Sequence, residues 1–159
     1  ATTGSLGHGL SIGCGIALAH KIKEKSNRIF VVMGDGEMNE GSVWEGLMFA
    51  SQQKLNNLTI VIDNNKLESL DLTNNILSIE PLEDRLTSFG WDVRRVDGHN
   101  HDELCKSLSS YASTTDKPIA VIADTIKGKG VSFMENVPMW HHRKLKPEEY
   151  QIAFQELGG

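Results

Sequence analysis

Ile29-Phe30-Val31-Val32-Met33-Gly34-Asp35-Gly36-Glu37 decides how this chain is read. An apolar run of strand length ends on an acidic residue held between two glycines. A helix-like segment follows, and then a second apolar run, Leu58-Thr59-Ile60-Val61-Ile62, ends in Asp63-Asn64-Asn65. Two strands joined through a helix form a parallel pair, so Asp35 and Asn65 are expected at the same border of one sheet. Hard oxygen ligands on flexible backbone at that border suit a divalent cation that holds a diphosphate. An Asp-Gly pair is also a hairpin turn, but a hairpin does not supply a helix and a second strand ending in Asn-Asn. The other reading of Asn65 is a turn residue in the left-handed region, and Asp35 upstream weighs against it.

The rest of the chain continues the alternation. Periodicity and punctuation predict helices over 10–25, 39–54, 81–89, 102–113 and 147–157, and strands over 28–33, 58–62, 91–96 and 118–123. In the first helix Ile12, Ile16, Ala19 and Ile22, or Ile16, Ala17 and Ala19, form an apolar side, and in the second Trp44, Leu47, Met48 and Ala50 turn partly inward. Asn100 or His101 is the expected entry to the helix over 102–113. The 66–78 stretch is polar and turn-rich, a loop able to cover a ligand, and 127–146 is irregular. The expected fold class is therefore α/β, a parallel sheet with helices on both faces. Lys127-Gly128-Lys129-Gly130 follows the last strand and is a flexible basic loop on the ligand-side edge.

Composition narrows the function classes. At 159 residues the chain makes about one domain with a real core. Its net charge of −5 argues against a nucleic-acid footprint. No apolar run reaches membrane-spanning length. Cys14 and Cys105 fit no metal spacing, and reduced thiols in a cytoplasmic protein are the simpler expectation. The chain opens without Met on Ala1-Thr2-Thr3-Gly4, directly on a glycine-rich motif, which suggests a single diphosphate-binding domain over 1–159 that lacks an N-terminal portion.

Gly34-Asp35-Gly36 followed by Asn64-Asn65 resembles the thiamine diphosphate motif, and Gly34 through Glu45 resembles its transketolase version, in which an EG pair and a second glutamate follow. The resemblance covers nearly the whole chain and implies the N-terminal, diphosphate-binding subunit or a fragment of a transketolase. Such an enzyme moves a two-carbon ketol unit from a ketose phosphate to an aldose phosphate. The implied cofactors are thiamine diphosphate and Mg²⁺, with Ca²⁺ or Mn²⁺ as substitutes. The implied metal ligands are Asp35, Asn65 and the backbone carbonyl of Leu67, with Gly34, Gly36 and Glu37 beside the diphosphate.

Three further segments carry the likeness. Gly4-Ser5-Leu6-Gly7-His8-Gly9 is by itself as compatible with a ligand-free helix start as with a ligand site; it resembles the family's TGxLGxG segment, which puts Gly4 and Leu6 near the thiamine rings. His8 stands where Gln is frequent. Glu40 and Glu45, as an isolated pair, read as a solvated helix face; the resemblance makes them interface glutamates that assist a proton relay. His141 in Pro138-Met139-Trp140-His141-His142 is on its own more often a surface residue; the resemblance to the KGKG…WHG stretch makes it the histidine that reaches the diphosphate and the reacting substituents. His142 stands where the family has Gly. His20, His99 and His101 read as structural or surface residues.

The family takes its activating glutamate and most sugar-phosphate contacts from a pyrimidine-binding domain, which is expected to lie outside this chain. A C-terminal partner subunit is therefore expected, in a dimer of heterodimers, with the isolated chain binding cofactor weakly and not turning over. Other thiamine enzymes (deoxyxylulose-phosphate synthase, a ketoacid dehydrogenase component, an acyloin synthase) and a non-catalytic flavodoxin-like phosphate module are the competing readings. The last would bind its ligand without Mg²⁺.

Overall fold

The computed structural model describes residues 3–109 and 116–159. The four expected strands form one parallel sheet: β1 (Ile29–Gly34), β2 (Leu58–Asn64), β3 (Asp92–Asp97) and β4 (Ile119–Asp124), in the spatial order β1-β2-β4-β3. The helices are α1 (Gly9–Ile22), α2 (Gly41–Gln52), a single turn α3 (Thr73–Ile76), α4 (Leu82–Ser88), α5 (His101–Ser109) and α6 (Pro147–Glu156). The chain advances along the sheet from β1 to β3 and then turns back to β4. Right-handed crossovers put the helix of that return on the opposite face. Burial agrees: α1, α2 and α4 pack on one face, where Leu10, Ala17, Leu47 and Leu82 meet Val31, Ile60, Ile62 and Ile122. Leu108 of α5 packs on Ile119 and Val121 from the other. Among the described residues no helix is long and apolar enough to cross a membrane.

Local differences from the expected elements have identifiable causes. The buried stripe of α1 is Leu10, Gly13, Cys14 and Ala17 rather than Ile12 and Ile16, which stay exposed. A Cβ at Gly13 would lie 2.3 Å from Val31 Cγ2, so the small residues let α1 sit closer to β1 than an isoleucine face would allow. Met48 of α2 is likewise exposed, while Leu47 and Ala50 are buried. Helices α1 and α2 stop short of the expected residues 25 and 54. Glu24 and Lys54 take the left-handed conformation (φ 51° and 52°), and Lys25 and Leu55 donate back to the carbonyls of His20 and Ala50, the Schellman way of ending a helix. Helix α2 also starts later than residue 39, after a 3-10 turn over Gly36–Asn39 that Trp44 braces by donating from Nε1 to the Met38 carbonyl. Asn100 caps α5 by accepting from the amides of Asp102 and Glu103; residues 110–113 of the expected helix lie outside the described residues.

Register carries the fold to the site. Gly34 pairs with Asp63, and Asn64 and Asp97 both pair with Asp124. The carboxyl ends of all four strands are thus level, and every loop that follows them opens on one border. The 66–78 loop is more ordered than its composition suggests. Leu67 and Leu72 form an antiparallel bridge, and α3 follows.

Candidate functional site

Asp35 leaves β1 at this border and is 2% exposed. Its Oδ1 accepts from the Gly36 amide at 2.9 Å, and its Oδ2 accepts from the Lys66 amide at 2.7 Å and the Thr73 hydroxyl at 3.2 Å. Burial pushes its pKa up despite those three donors, and the neighbouring charge of Asp63 pushes the same way. Asn65 leaves β2. Its Oδ1 accepts from the Leu67 amide at 3.0 Å and its Nδ2 donates to Asp63 at 3.2 Å. Between Asn65 and Leu67, Lys66 adopts φ 62°, a left-handed conformation that costs a non-glycine residue of order 1 kcal/mol. That twist turns the Lys66 amide onto Asp35 and the Leu67 amide onto Asn65.

Asp35, Gly36, Asn65 and Leu67 wall a cavity of about 330 Å³, within the range of small-molecule sites. The sequence-expected Leu6, Gly34, Asp35, Gly36, Glu37, Asn65, Leu67 and His141 all line it. They come from four separate stretches of chain. The wall adds Asp63, Glu68, Ser69 and Lys127, which the sequence reading did not name as site residues, although it placed the basic loop of Lys127 on this edge. Thr73, which anchors Asp35 from α3, carries no sequence signal at all. A larger cavity of about 550 Å³ runs along β1 and α1 past Ile12, Ile16, Phe30 and Val32. It is walled mostly by apolar side chains and reaches none of Asp35, Asn65 or Leu67.

Three expected residues stand apart from the cavity wall. Gly4 is exposed with open space around it. Glu40 precedes α2 and packs on Gly7, where a Cβ would lie 2.8 Å from the Glu40 Cβ. Glu45 lines a separate depression of about 390 Å³ with Ser11, Cys14 and Phe49. Gly7 itself (φ 78°) ties the N-terminal turn to the site: its amide donates to Glu37 at 2.9 Å and its carbonyl accepts from Ser42 at 3.0 Å.

His141 ends a 3-10 turn over Pro138–His141. Trp140 fixes that turn by donating from Nε1 to the Phe133 carbonyl at 2.9 Å, with Arg143 stacked 4.3 Å over its ring. Partial burial, the charge of Lys127 and the neighbouring His142 hold the His141 imidazole below its ordinary pKa, so it is neutral near pH 7. Glu68 accepts from Asn39 at 3.0 Å, and burial with the Asp35 charge raises its pKa. Cys14 is buried and its thiol pushed up to about 11, while Cys105 is exposed; both are free.

The donor set fits a divalent cation. A carboxylate offers about four acceptor positions and an amide oxygen two. Asp35 uses three and Asn65 Oδ1 one, which leaves each a free acceptor position. Among the described residues no three His, Cys, Asp or Glu side chains gather as a metal cluster. A cation here would draw on one carboxylate, an amide oxygen, backbone carbonyl and ligand oxygens, the mixture Mg²⁺ accepts.

Comparison with known proteins shows the family. The family model described as "Transketolase, thiamine diphosphate binding domain" matches residues 1–159. The chain is 43% identical over 155 residues to one of the subunits of the apulose-4-phosphate transketolase of Phocaeicola vulgatus, covering 98% of this chain and 55% of that protein. It is 42% identical over 156 residues to 6-deoxy-6-sulfo-D-fructose transketolase subunit SqwG of a Clostridium species, covering 98% and 57%. The chain thus spans about half the length of these relatives. The crystal structure of transketolase from Campylobacter jejuni superposes with a TM-score of 0.90 at 28% identity, over 98% of this chain and 26% of that one.

Proposed function

The chain belongs to the transketolase thiamine diphosphate binding domain family, and on that premise we propose that it is the diphosphate- and metal-binding subunit of a two-subunit transketolase. Its relatives over nearly the whole chain include proteins named as transketolase subunits. The observation that carries the reading is the convergence of Asp35, Asn65 and Leu67 on one cavity with Leu6 and His141, which lie far apart in sequence.

In this reading Asp35, Asn65 and the Leu67 carbonyl hold Mg²⁺, and Lys127 faces the diphosphate. When bound, thiamine diphosphate supplies a nucleophilic carbon to the ketose carbonyl. Leu6 gives the rings an apolar wall. His141, neutral at working pH, donates to phosphate oxygen or moves a proton at the reacting substituents. Glu40 and Glu45, outside the cavity, serve a proton relay that a facing subunit completes. The partner is a C-terminal subunit with the pyrimidine-binding domain, and the assembly is a dimer of such pairs acting on sugar phosphates.

The test is to co-purify the chain with that partner and follow ketol transfer from ketose phosphates to aldose phosphates, with thiamine diphosphate and Mg²⁺ or with EDTA. Transfer that needs both proteins and the metal is expected. Phosphate binding that persists in EDTA, with no transfer to any acceptor, sinks the proposal and favours the flavodoxin-like module.

A further inference from the structure

We propose that His99, on the turn between β3 and α5, is a positioning residue that sets Lys127 on the cavity wall. The inference rests on the thiamine diphosphate reading above for what Lys127 meets, but not for the contact itself. His99 is exposed and lines no part of the cavity. Its Nε2 accepts the Ile126 amide at 2.8 Å. An acceptor at Nε2 places the ring proton on Nδ1. Ile126 immediately precedes Lys127, the cation of the wall.

The bond falls where regular pairing has just ended. Asn64–Asp124 is the last register pair between β2 and β4, and the Thr125 amide still reaches the Asn64 carbonyl at 3.3 Å. One residue later the backbone turns into the Lys127-Gly128-Lys129-Gly130 loop, and a side chain supplies the acceptor that the sheet no longer offers. On the far side of Lys127 its own carbonyl accepts from Asn136 at 3.0 Å. Lys127 is therefore held between two backbone anchors, and His99 is one of them.

The turn that carries His99 is itself rigid. Asp97 accepts from the His99 amide at 2.9 Å, and the Gly98 amide donates to the Asp124 carbonyl at 2.8 Å. A Cβ at Gly98 would lie 2.4 Å from Thr125 Cγ2 and 3.0 Å from the Asp124 carbonyl oxygen, so only glycine lets the turn lie flush on the end of β4. Thr125 in turn hydrogen-bonds Asp63 of the cavity wall. The imidazole thus presents a fixed acceptor to a loop whose glycines would otherwise leave it loose.

The test uses the full chain in complex with its partner subunit. His99→Phe keeps a ring and removes the acceptor; His99→Gln restores an acceptor on a comparable arm. With Mg²⁺ present, His99→Phe is expected to raise the thiamine diphosphate Kd roughly three- to tenfold, the worth of one hydrogen bond. It should leave kcat at saturating cofactor unchanged and abolish hydrogen-exchange protection of the Ile126 amide. His99→Gln should recover both affinity and protection. A His99→Phe complex with wild-type protection at Ile126, or with lost protection and a wild-type Kd, overturns the inference. A wild-type complex that fails to bind thiamine diphosphate sinks the proposed function instead, and exchange at Ile126 then decides the anchor alone: unchanged protection in His99→Phe refutes it.

Discussion

Asparagine in place of Asp35 separates the charge of this side chain from its role in folding. The amide keeps the shape and one acceptor oxygen. Turned toward Lys66 and Thr73 it retains those two bonds and loses the one from Gly36, at a cost of about 1 kcal/mol. Against this, the substitution removes a carboxylate whose burial raises its pKa. The two effects oppose each other, so metal-free stability should move by about 1 kcal/mol or less, about 2–4 °C in Tm for a domain of this size. Ligand linkage behaves differently. Thiamine diphosphate with Mg²⁺ at 100 times Kd stabilises the wild-type chain by about 2.7 kcal/mol, roughly 5–10 °C. Outer-shell changes alone cost a metal site 10–100-fold, so losing the charge of a direct ligand is set at ~100-fold. The same concentration then adds only about 0.4 kcal/mol. Melting curves with and without Mg²⁺ and cofactor, with calorimetry on the assembled complex, read both numbers. A wild-type metal-dependent shift in Asp35→Asn refutes the ligand assignment. The pH dependence supplies a second check. A carboxylate with a raised folded pKa binds its proton more tightly in the native state, so its contribution to stability falls as pH rises through that pKa. The metal-free Tm of Asp35→Asn should therefore gain on wild type as pH rises and lose that gain in acid.

His141→Ala should lower kcat by about 10²–10⁴-fold while leaving the cofactor Kd within a few-fold of wild type; steady-state kinetics at saturating cofactor check this, and wild-type turnover removes the residue from the site. Because burial and Lys127 depress its pKa, the His141 imidazole of the ligand-free chain, followed by NMR titration, should titrate below the ordinary imidazole value of 6.5. Gly13→Ala drives a methyl group into Val31; overpacking of about 1–3 kcal/mol, less about 1 kcal/mol of helix propensity, should lower Tm by several degrees, and Val31→Ala in the same chain should recover part of it. A Gly13→Ala chain more stable than wild type would contradict the close approach of α1 to β1.

The strands were legible because each is an apolar run bounded by turn residues, and the site was legible because its ligands sit directly after two of those runs. Helix ends were less so. Gly90 holds φ 87° at the end of α4; Glu24 and Lys54 do the same work at α1 and α2 without being the glycine that favours that conformation. The stripe of α1 misled for a related reason. Its apolar residues run around the helix, and only packing against Val31 decides that Gly13 and Cys14, not Ile12 and Ile16, face inward. Thr73 and Glu68 could not be assigned from sequence, since their relation to the site arises from how the 66–78 loop folds back on itself.

In the proposed reading, the charges around the cavity give the metal its role. Asp35, Glu37, Asp63 and Glu68 all line it, opposed among the lining cations by Lys127. Burial raises the pKa of Asp35 and of Glu68, and a neighbouring carboxylate adds to each shift. A diphosphate entering alone would meet a wall of its own sign, and a cation entering alone would be drawn to those carboxylates but would have only one of them, with two neutral oxygens, as a direct ligand in the proposed set. Each binds better in the presence of the other, because the cation offsets the repulsion and the diphosphate completes the coordination. Metal and cofactor affinities must then rise together by one shared coupling energy. In the same reading the anchored loop, whose Lys127 lines the cavity beside His141, sets how much of the diphosphate charge would remain for a metal to balance.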